Sequence, residues 1–202
     1  TRQVLKDSTA FLLTDAMADS MKANRKFARS GVSINSTSTR AALSGMSAAG
    51  KSGTTTGNND IWFVGFTPYY TAGVWGGCDS NQKLSAGNGG TSFHKDIWRN
   101  IMNRVHEDMS DPGFAVPDSI ETAEICRKSG KRAVPGVCDH DPRGSAVYTE
   151  YFAKGTAPSE VCDKHVAVTV CAQSGLRPTP YCTEKTTKVC MVLPEGEENL
   201  AT

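Results

Sequence analysis

The stretch Ile61-Trp-Phe-Val-Gly-Phe-Thr67, followed by Thr71-Ala-Gly-Val-Trp-Gly-Gly77, decides the fold of this chain. Both runs are rich in aromatic and β-branched residues, which favour β-strands. Only Pro68-Tyr-Tyr70 separates them, and so short a connection joins strands that run antiparallel. The sequence therefore predicts a β-hairpin over residues 61–77.

Two amphipathic helices are predicted to flank this hairpin. In residues 8–29 apolar side chains recur at spacings of three and four, and basic residues crowd the end, where cations suit the helix dipole. In residues 92–107 apolar side chains recur at every fourth position, with Trp98 and Met102 beside them. The two apolar rows are Ala10, Leu13, Met17 and Met21, and Phe93, Ile97, Ile101 and Val105.

Upstream of the hairpin, Gly45-Met-Ser-Ala-Ala-Gly-Lys-Ser52 fits the P-loop pattern G-x-x-x-x-G-K-[ST]. A P-loop needs a buried strand before the glycine-rich turn and a helix after it. Neither is indicated, since residues 36–39 are polar and Gly53-Thr-Thr-Thr-Gly57 is a poor first helical turn. The alternative places Lys51-Ser-Gly-Thr-Thr55 on an edge strand facing a cleft. The order helix, three strands, helix is typical of an α+β layer.

The run from Ala48 to Asp79 resembles the transpeptidase domain of class A penicillin-binding proteins of the Gram-positive type. Members of that family carry a Lys-Thr-Gly-Thr-Thr strand, then a segment like Asp60–Pro68, then a strand like Gly73–Gly77. The resemblance extends over about residues 4–110. It implies an α+β fold of the penicillin-binding-protein/β-lactamase type, present only in part, with antiparallel strands and flanking helices.

The resemblance also implies a division of the chain. Residues 1–115 are expected to be the C-terminal part of a transpeptidase domain. Residues 116–202 are expected to be a cysteine-rich, β-rich extension similar to those of some Gram-positive members.

In this family the Lys-Thr-Gly strand binds a peptide that ends in a D-alanine carboxylate, or a β-lactam that mimics it. The resemblance therefore makes Lys51 and Thr54 the catalytic candidates. Lys51 would place positive charge near the nucleophile, and the backbone N–H of Thr54 would donate to the oxyanion. The substrate-binding candidates are Ser52, Gly53 and Thr55. The hydroxyls of Ser52 and Thr54 would bind the substrate carboxylate, and Gly53 would let the substrate backbone approach. No cofactor and no metal ion are expected.

The family's nucleophile lies in a Ser-x-x-Lys motif, followed by Ser-x-Asn ahead of the Lys-Thr-Gly strand. Ser80-Asn-Gln-Lys83 and Ser33-Ile-Asn35 fit these letters, but both lie in polar loops and out of place, so we interpret them as chance. The chain is thus expected to be a fragment of a serine-type D-Ala-D-Ala transpeptidase that is inactive alone. Strand 71–77 would then present an open edge through which the chain could self-associate.

The parent protein would act on peptidoglycan stem peptides and bind β-lactam antibiotics at the extracellular face of the cytoplasmic membrane, with its anchor outside this sequence. Nucleic acid is not an expected partner, because 22 Lys and Arg balance 21 Asp and Glu. One alternative function is a non-catalytic extracellular module in which the tail binds the cell wall. The P-loop NTPase is a further alternative.

The tail holds six of the seven cysteines, and its segments 126–138 and 171–182 form an internal repeat. Both copies read Cys-x-x-Ser-Gly-x-Arg, then Pro and Cys. The disulfide candidates are Cys126, Cys138, Cys162, Cys171, Cys182 and Cys190. The repeat favours pairing Cys126 with Cys138 and Cys171 with Cys182, although connectivity is not derivable from sequence. Free thiols and a zinc site that uses Cys162-x-x-His165 are the alternatives.

Overall fold

The computed structural model of the chain describes residues 2–22, 36–85 and 92–192, and the backbone of residues 25–26 and 33–34. Its helices and strands are α1 (Asp7–Asp19), β1 (Arg25–Lys26), β2 (Ser33–Ile34), β3 (Ala49–Thr54), β4 (Asp60–Phe66), β5 (Thr71–Gly77), α2 (Phe93–Val105), β6 (Ile120–Cys126), β7 (Val147–Ala153), β8 (His165–Cys171) and β9 (Lys185–Met191). They belong to two compact units, Thr1–Pro117 and Asp118–Thr202. Among the described helices, neither has the length and apolar character that a membrane span requires.

The first unit contains an antiparallel sheet in which β4 lies between β3 and β5. The hairpin predicted over residues 61–77 is confirmed as β4 and β5, and its turn is closed by the Thr67 N–H donating to Tyr70 O at 2.9 Å. Trp62 is the centre of the register, opposite Gly53 on β3 and Trp75 on β5. The predicted α+β class, with antiparallel strands and flanking helices, is confirmed.

Helix α2 covers one face of this sheet and forms the core with it. The Trp98 ring is fully buried and meets the edge of Phe63, with ring centroids 5.2 Å apart. Its indole N–H donates to Ala72 O at 3.0 Å. Gly65 leaves room for the ring, because a Cβ at this position would lie 2.6 Å from Trp98 Cζ2. The fit between one tryptophan and one glycine therefore fixes the helix on the sheet.

The buried face of α2 is offset by one residue from the row the sequence indicated. His94, Trp98 and Met102 are buried, whereas Ile97, Ile101 and Val105 are exposed by 42%, 50% and 47%. Both rows have the same four-residue period, so periodicity alone does not choose between them. The Trp98 indole determines which face of α2 is buried, because it is the largest of the buried side chains and its N–H donates to the backbone carbonyl of Ala72.

Helix α1 ends earlier than the sequence predicted. It stops at Asp19 rather than near residue 29, and Arg25–Lys26 pair with Ser33–Ile34 as short strands. Ser20 follows the last helical residue, and its hydroxyl donates to Met17 O at 2.7 Å and to Gly50 O at 3.3 Å. The Ser38 N–H donates to Ser20 O at 3.1 Å. Contacts with β3 and with the segment after β2 thus replace a further helical turn. The last residues of the predicted helix, 27–29, lie outside the described part of the chain.

The second unit consists of two β-hairpins, β6–β7 and β8–β9. Each copy of the internal repeat begins where the first strand of a hairpin ends. After Cys126 the chain turns so that the Gly130 N–H donates to Cys126 O at 2.8 Å; after Cys171 the Gly175 N–H donates to Cys171 O at 2.8 Å. Both glycines have positive φ, 70° and 69°, which side-chain-bearing residues rarely adopt. The two copies therefore share one local structure.

Candidate functional site

The Lys-Ser-Gly-Thr segment lies on β3, which within the described residues pairs on one side only, with β4. The predicted edge strand is thus observed for residues 51–54, and Thr55 follows directly after it. Lys51 and Ser52 lie inside a strand, so no helix begins after Gly50 as a P-loop would require. This geometry excludes the P-loop interpretation.

The direction of the backbone groups on β3 follows from three hydrogen bonds. Gly50 O accepts from the Ser20 hydroxyl, and Ser52 O accepts from Lys51 Nζ at 2.7 Å, so both carbonyls point away from β4. The Thr55 N–H donates to Asp60 O at 3.0 Å, toward β4. Along an antiparallel strand, successive residues direct their backbone N–H and C=O groups to opposite sides. The N–H of Thr54 therefore points to the open edge, on the same side as the backbone N–H and C=O of Ser52.

The pleat of β3 separates the side chains of the candidate residues. Lys51 and Gly53 lie opposite Val64 and Trp62, on the face that α2 does not cover. Ser52 and Thr54 lie opposite the buried Phe63 and Ile61, and their side chains belong to the other face. An extended ligand added at this edge would therefore meet the backbone of Ser52 and Thr54 and the side chain of Lys51.

The face that carries Lys51 is apolar and exposed. Trp62, Val64 and Trp75 are 47%, 45% and 44% exposed, and Trp75 Nε1–H donates to Asp60 Oδ1 at 3.1 Å. Such a patch of large side chains is unusual on an isolated soluble domain.

The nucleophile-like motifs do not form a nucleophile site among the described residues. Ser80 and Lys83 lie in a turn and an irregular segment after β5, and Asn81 has a φ of 53°, so no helix carries them. Ser33 belongs to β2, and Asn35 lies outside the described residues. The Ser80–Lys83 match therefore lacks the helical setting that the Ser-x-x-Lys motif requires.

The cysteines do not adopt the pairs that the repeat suggested. All seven are free, including the six disulfide candidates. Three candidates instead meet a histidine: one ligand atom from each of Cys126, Cys138, Cys162 and His165 lies within 4.8 Å of the others. The repeat shows that Cys126 and Cys138 share a loop, but only the packing of the hairpins brings the third thiol and the imidazole beside them.

The electrostatics of this four-residue cluster are uneven. Burial raises the pKa of Cys138 to about 12. Burial would also raise the pKa of Cys162, but its hydrogen bonds with Ser129, His165 and the Lys164 backbone outweigh burial and lower that pKa to about 6. The surroundings therefore favour the thiolate form at Cys162 and the neutral thiol at Cys138.

In the second copy of the repeat, Cys171 and Cys182 lie beside each other, and a hydrogen bond from Cys182 lowers the pKa of Cys171 to about 7. The described residues place no histidine or third cysteine with this pair. Cys190 lies on β9 opposite Val166.

Comparisons with known proteins agree with this architecture. The family model for the penicillin-binding protein 1A C-terminal domain matches residues 116–167, which include the four residues of the cluster. Penicillin-binding protein 1A of Clostridium perfringens is 38% identical over 117 residues, covering 58% of this chain and 14% of that protein. Penicillin-binding protein 1A of Clostridium botulinum is 34% identical over 166 residues, covering 82% of this chain and 18% of that protein.

Penicillin-binding protein 1A/1B of Bacillus subtilis is 32% identical over 177 residues, covering 79% of this chain and 17% of that protein. The crystal structure of penicillin-binding protein 1A from Haemophilus influenzae has a similar fold, with a TM-score of 0.61 and 23% identity over 80% of this chain and 22% of that one.

The fold is therefore that of a penicillin-binding protein. The chain is part of a penicillin-binding protein 1A family member. It spans between 14% and 18% of the length of the curated relatives described above.

Proposed function

We propose that β3 is the substrate-binding strand of a serine-type D,D-transpeptidase that cross-links peptidoglycan, and that this chain supplies one wall of its active site. The observation that carries the proposal is the open edge of β3, where the Thr54 N–H points outward and Lys51 lies on the uncovered face. A stem peptide would bind there as an added strand, through main-chain hydrogen bonds.

The chemistry assigns one role to each group. The nucleophilic serine, supplied by another part of the domain, attacks the carbonyl of the penultimate D-Ala, and an ester forms as the peptide C–N bond breaks. The released D-Ala amine takes up the proton. The Thr54 N–H donates to the oxyanion formed in this step, a contribution of about 3 kcal/mol for one such donor. An amine from a neighbouring stem peptide then attacks the ester and restores the serine.

Lys51 contributes positive charge to this step. Its ammonium group contacts Ser52 O, next to the position where the substrate carboxylate would lie. The hydroxyls of Ser52 and Thr54 would approach the carboxylate at the open edge from the opposite face of β3, and Gly53 and Thr55 would border the ligand. A side chain at Gly53 would stand between the ligand and the exposed Trp62.

The uncovered face fits the same proposal. In a complete domain the part that carries the serine would cover Trp62, Val64 and Trp75, which are half exposed here. The parent would work at the outer face of the cytoplasmic membrane, where peptidoglycan is cross-linked, and β-lactams would acylate the same serine.

The test is acylation by a fluorescent penicillin. The 202-residue chain should not be labelled, whereas a chain that carries the complete domain should be. In that longer chain, Lys51→Ala should slow labelling by about 10²–10³-fold, as loss of a preorganised electrostatic group does. Gly53→Ala should slow it without unfolding the protein. Thr56→Ala, an exposed neighbour outside the strand, is the matched control and should label normally. Covalent labelling of the 202-residue chain, or normal labelling of Lys51→Ala, would contradict the proposal.

A further inference from the structure

We propose that Cys126, Cys138, Cys162 and His165 bind a structural Zn²⁺ ion that holds the second unit together. This site is independent of the proposed transpeptidase chemistry, since all four ligands belong to residues 118–202. Three cysteines and one histidine are a known ligand set for structural zinc, and the four side chains are all buried.

The distances within the cluster fit tetrahedral coordination. With Zn–S bonds of about 2.3 Å and a Zn–N bond of about 2.0 Å, a tetrahedron separates nitrogen from sulfur by roughly 3.5 Å and the sulfurs from one another by roughly 3.8 Å. His165 Nδ1 lies 3.4 Å from Cys126 Sγ and 3.4 Å from Cys162 Sγ, and no pair of ligand atoms exceeds 4.8 Å. An ion at the centre would require the most distant pair to close by at most about 1 Å.

The imidazole of His165 is held in the tautomer that a metal needs. Its Nε2 lies 2.8 Å from Asp141 Oδ2, and both side chains are fully buried. The Nε2–H donates to this carboxylate, which leaves the lone pair of Nδ1 directed at the three sulfurs. In protein zinc sites the ligating histidine commonly donates its other ring N–H to a carboxylate in this way. Arg143 holds Asp141 in place, with its Nη2 3.0 Å from Oδ2.

Each sulfur also accepts a backbone hydrogen bond. The N–H groups of Lys128, Val134 and Lys164 donate to the sulfurs of Cys126, Cys138 and Cys162 at 3.4, 3.2 and 3.4 Å. Zinc with three thiolates and a neutral imidazole carries a net charge of −1, and the thiol protons pass to solvent. The three N–H donors reduce the cost of burying that charge.

The core of this unit indicates why an ion would be needed. The buried apolar cluster around the ligands consists of the three cysteines and Ala146, with Ala133, Val134 and Val147 packed against it. The other buried apolar side chains among the described residues of the unit are Ile120, Ala123, Ile125, Val170 and Val189. Small domains that lack a sufficient hydrophobic core are commonly held together by disulfides or a metal. All three cysteines are free in the structure, so their thiols are available as metal ligands.

The second copy of the repeat is a natural control. Cys171 and Cys182 lie in the same kind of turn as Cys126 and Cys138, but without a third cysteine or a histidine among the described residues. Metal binding that depends on the four-ligand cluster should therefore not depend on this pair.

The test measures zinc in the full 202-residue chain, purified under reducing conditions from zinc-supplemented medium. Elemental analysis should find about one zinc per chain. Cys162→Ser and His165→Ala should lose it, whereas the double variant Cys171→Ser with Cys182→Ser should keep it. No zinc in the wild-type chain, equal loss in the double variant, or a disulfide within the cluster of the zinc-grown protein would overturn the proposal.

A variant that unfolds would also lose zinc, so a gain-of-signal measurement is needed. Co²⁺ added to the wild-type chain should give the visible bands of a tetrahedral ion and a thiolate-to-cobalt charge-transfer band. His165→Cys should retain the metal and shift these bands, because a fourth thiolate replaces the imidazole. An unchanged spectrum in His165→Cys would show that position 165 is not a ligand.

The role of Asp141 as the hydrogen-bond partner of His165 is tested by measuring zinc affinity in competition with a chelator. Asp141→Ala should weaken zinc binding by about 10–100-fold, the usual effect of removing such a carboxylate. Asp139→Ala is the matched control, since Asp139 is partly exposed and its ion pair is with His140. Equal affinities in the two variants would refute the role of Asp141.

Discussion

Gly65→Ala tests whether the contact between Trp98 and β4 fixes α2 on the sheet. An added Cβ would lie 2.6 Å from Trp98 Cζ2 and 2.9 Å from Phe63 Cε1. Favourable carbon–carbon contacts begin near 3.5 Å, so the indole would have to move by roughly 1 Å. The ring is fully buried, and its N–H bond to Ala72 O is 3.0 Å long, so this movement would also strain that bond.

The magnitude combines three effects. Overpacking of a tight core costs about 1–3 kcal/mol, and loss of the indole hydrogen bond costs about 1 kcal/mol more. Replacing glycine by alanine inside a strand offsets roughly 0.5–1 kcal/mol of this loss, because the unfolded chain then has less backbone conformational entropy to lose on folding. The net expectation is a loss of about 1–3 kcal/mol. With a urea m-value of about 2 kcal/mol per molar, the midpoint should fall by roughly 1 M.

The assay is urea unfolding of the 202-residue chain, followed by tryptophan fluorescence. All three tryptophans lie at positions 62, 75 and 98, so the signal reports on the first unit. Gly53→Ala is the matched control, because a Cβ there meets only Trp62 Cβ at an ordinary 3.6 Å. In a Trp98→Phe background, which lacks Cζ2, Gly65→Ala should cost less. Equal midpoints for Gly65→Ala and wild type, or equal losses in both glycine variants, would refute the reasoning.

Three further predictions concern the same unit. His106→Ala should destabilise the unit by about 2–4 kcal/mol in urea unfolding. The buried imidazole donates to Met102 O at 2.7 Å and accepts from the Thr67 hydroxyl at 2.9 Å, and both bonds would be lost. The exposed Glu107→Ala is the control and should show no such loss. Burial lowers the pKa of His94 below its ordinary 6.5, so the unfolded chain binds the proton first and stability should fall as pH drops below about 6.5. His94→Gln should flatten that fall, and an unchanged pH profile would contradict it. The exposed apolar face of Trp62, Val64 and Trp75 should make the chain self-associate in sedimentation experiments. Trp62→Lys should yield a monomer. A monomeric wild-type chain would contradict this prediction.

The hairpin and the second helix were predictable because local sequence carries their signals, whereas the edge strand was predicted from the family resemblance. Alternation of β-branched and aromatic residues specifies β4 and β5, and a four-residue period specifies α2. The length of α1 was not predictable, since its end depends on the bonds of Ser20 to Gly50 and Ser38, which are remote in sequence. The buried face of α2 likewise depends on the space that Gly65 leaves on a different element.

The sequence by itself determined the family resemblance, the Lys51–Thr55 strand and the repeated cysteine loops, because each is encoded in a contiguous run of residues. Only the tertiary structure decided which backbone groups of β3 face the open edge and which thiols meet. Cys126, Cys138 and Cys162 come from the end of β6, a helical turn before β7 and the segment before β8. A repeat pattern cannot reveal that convergence, because it depends on how two hairpins pack and on a histidine oriented by Asp141.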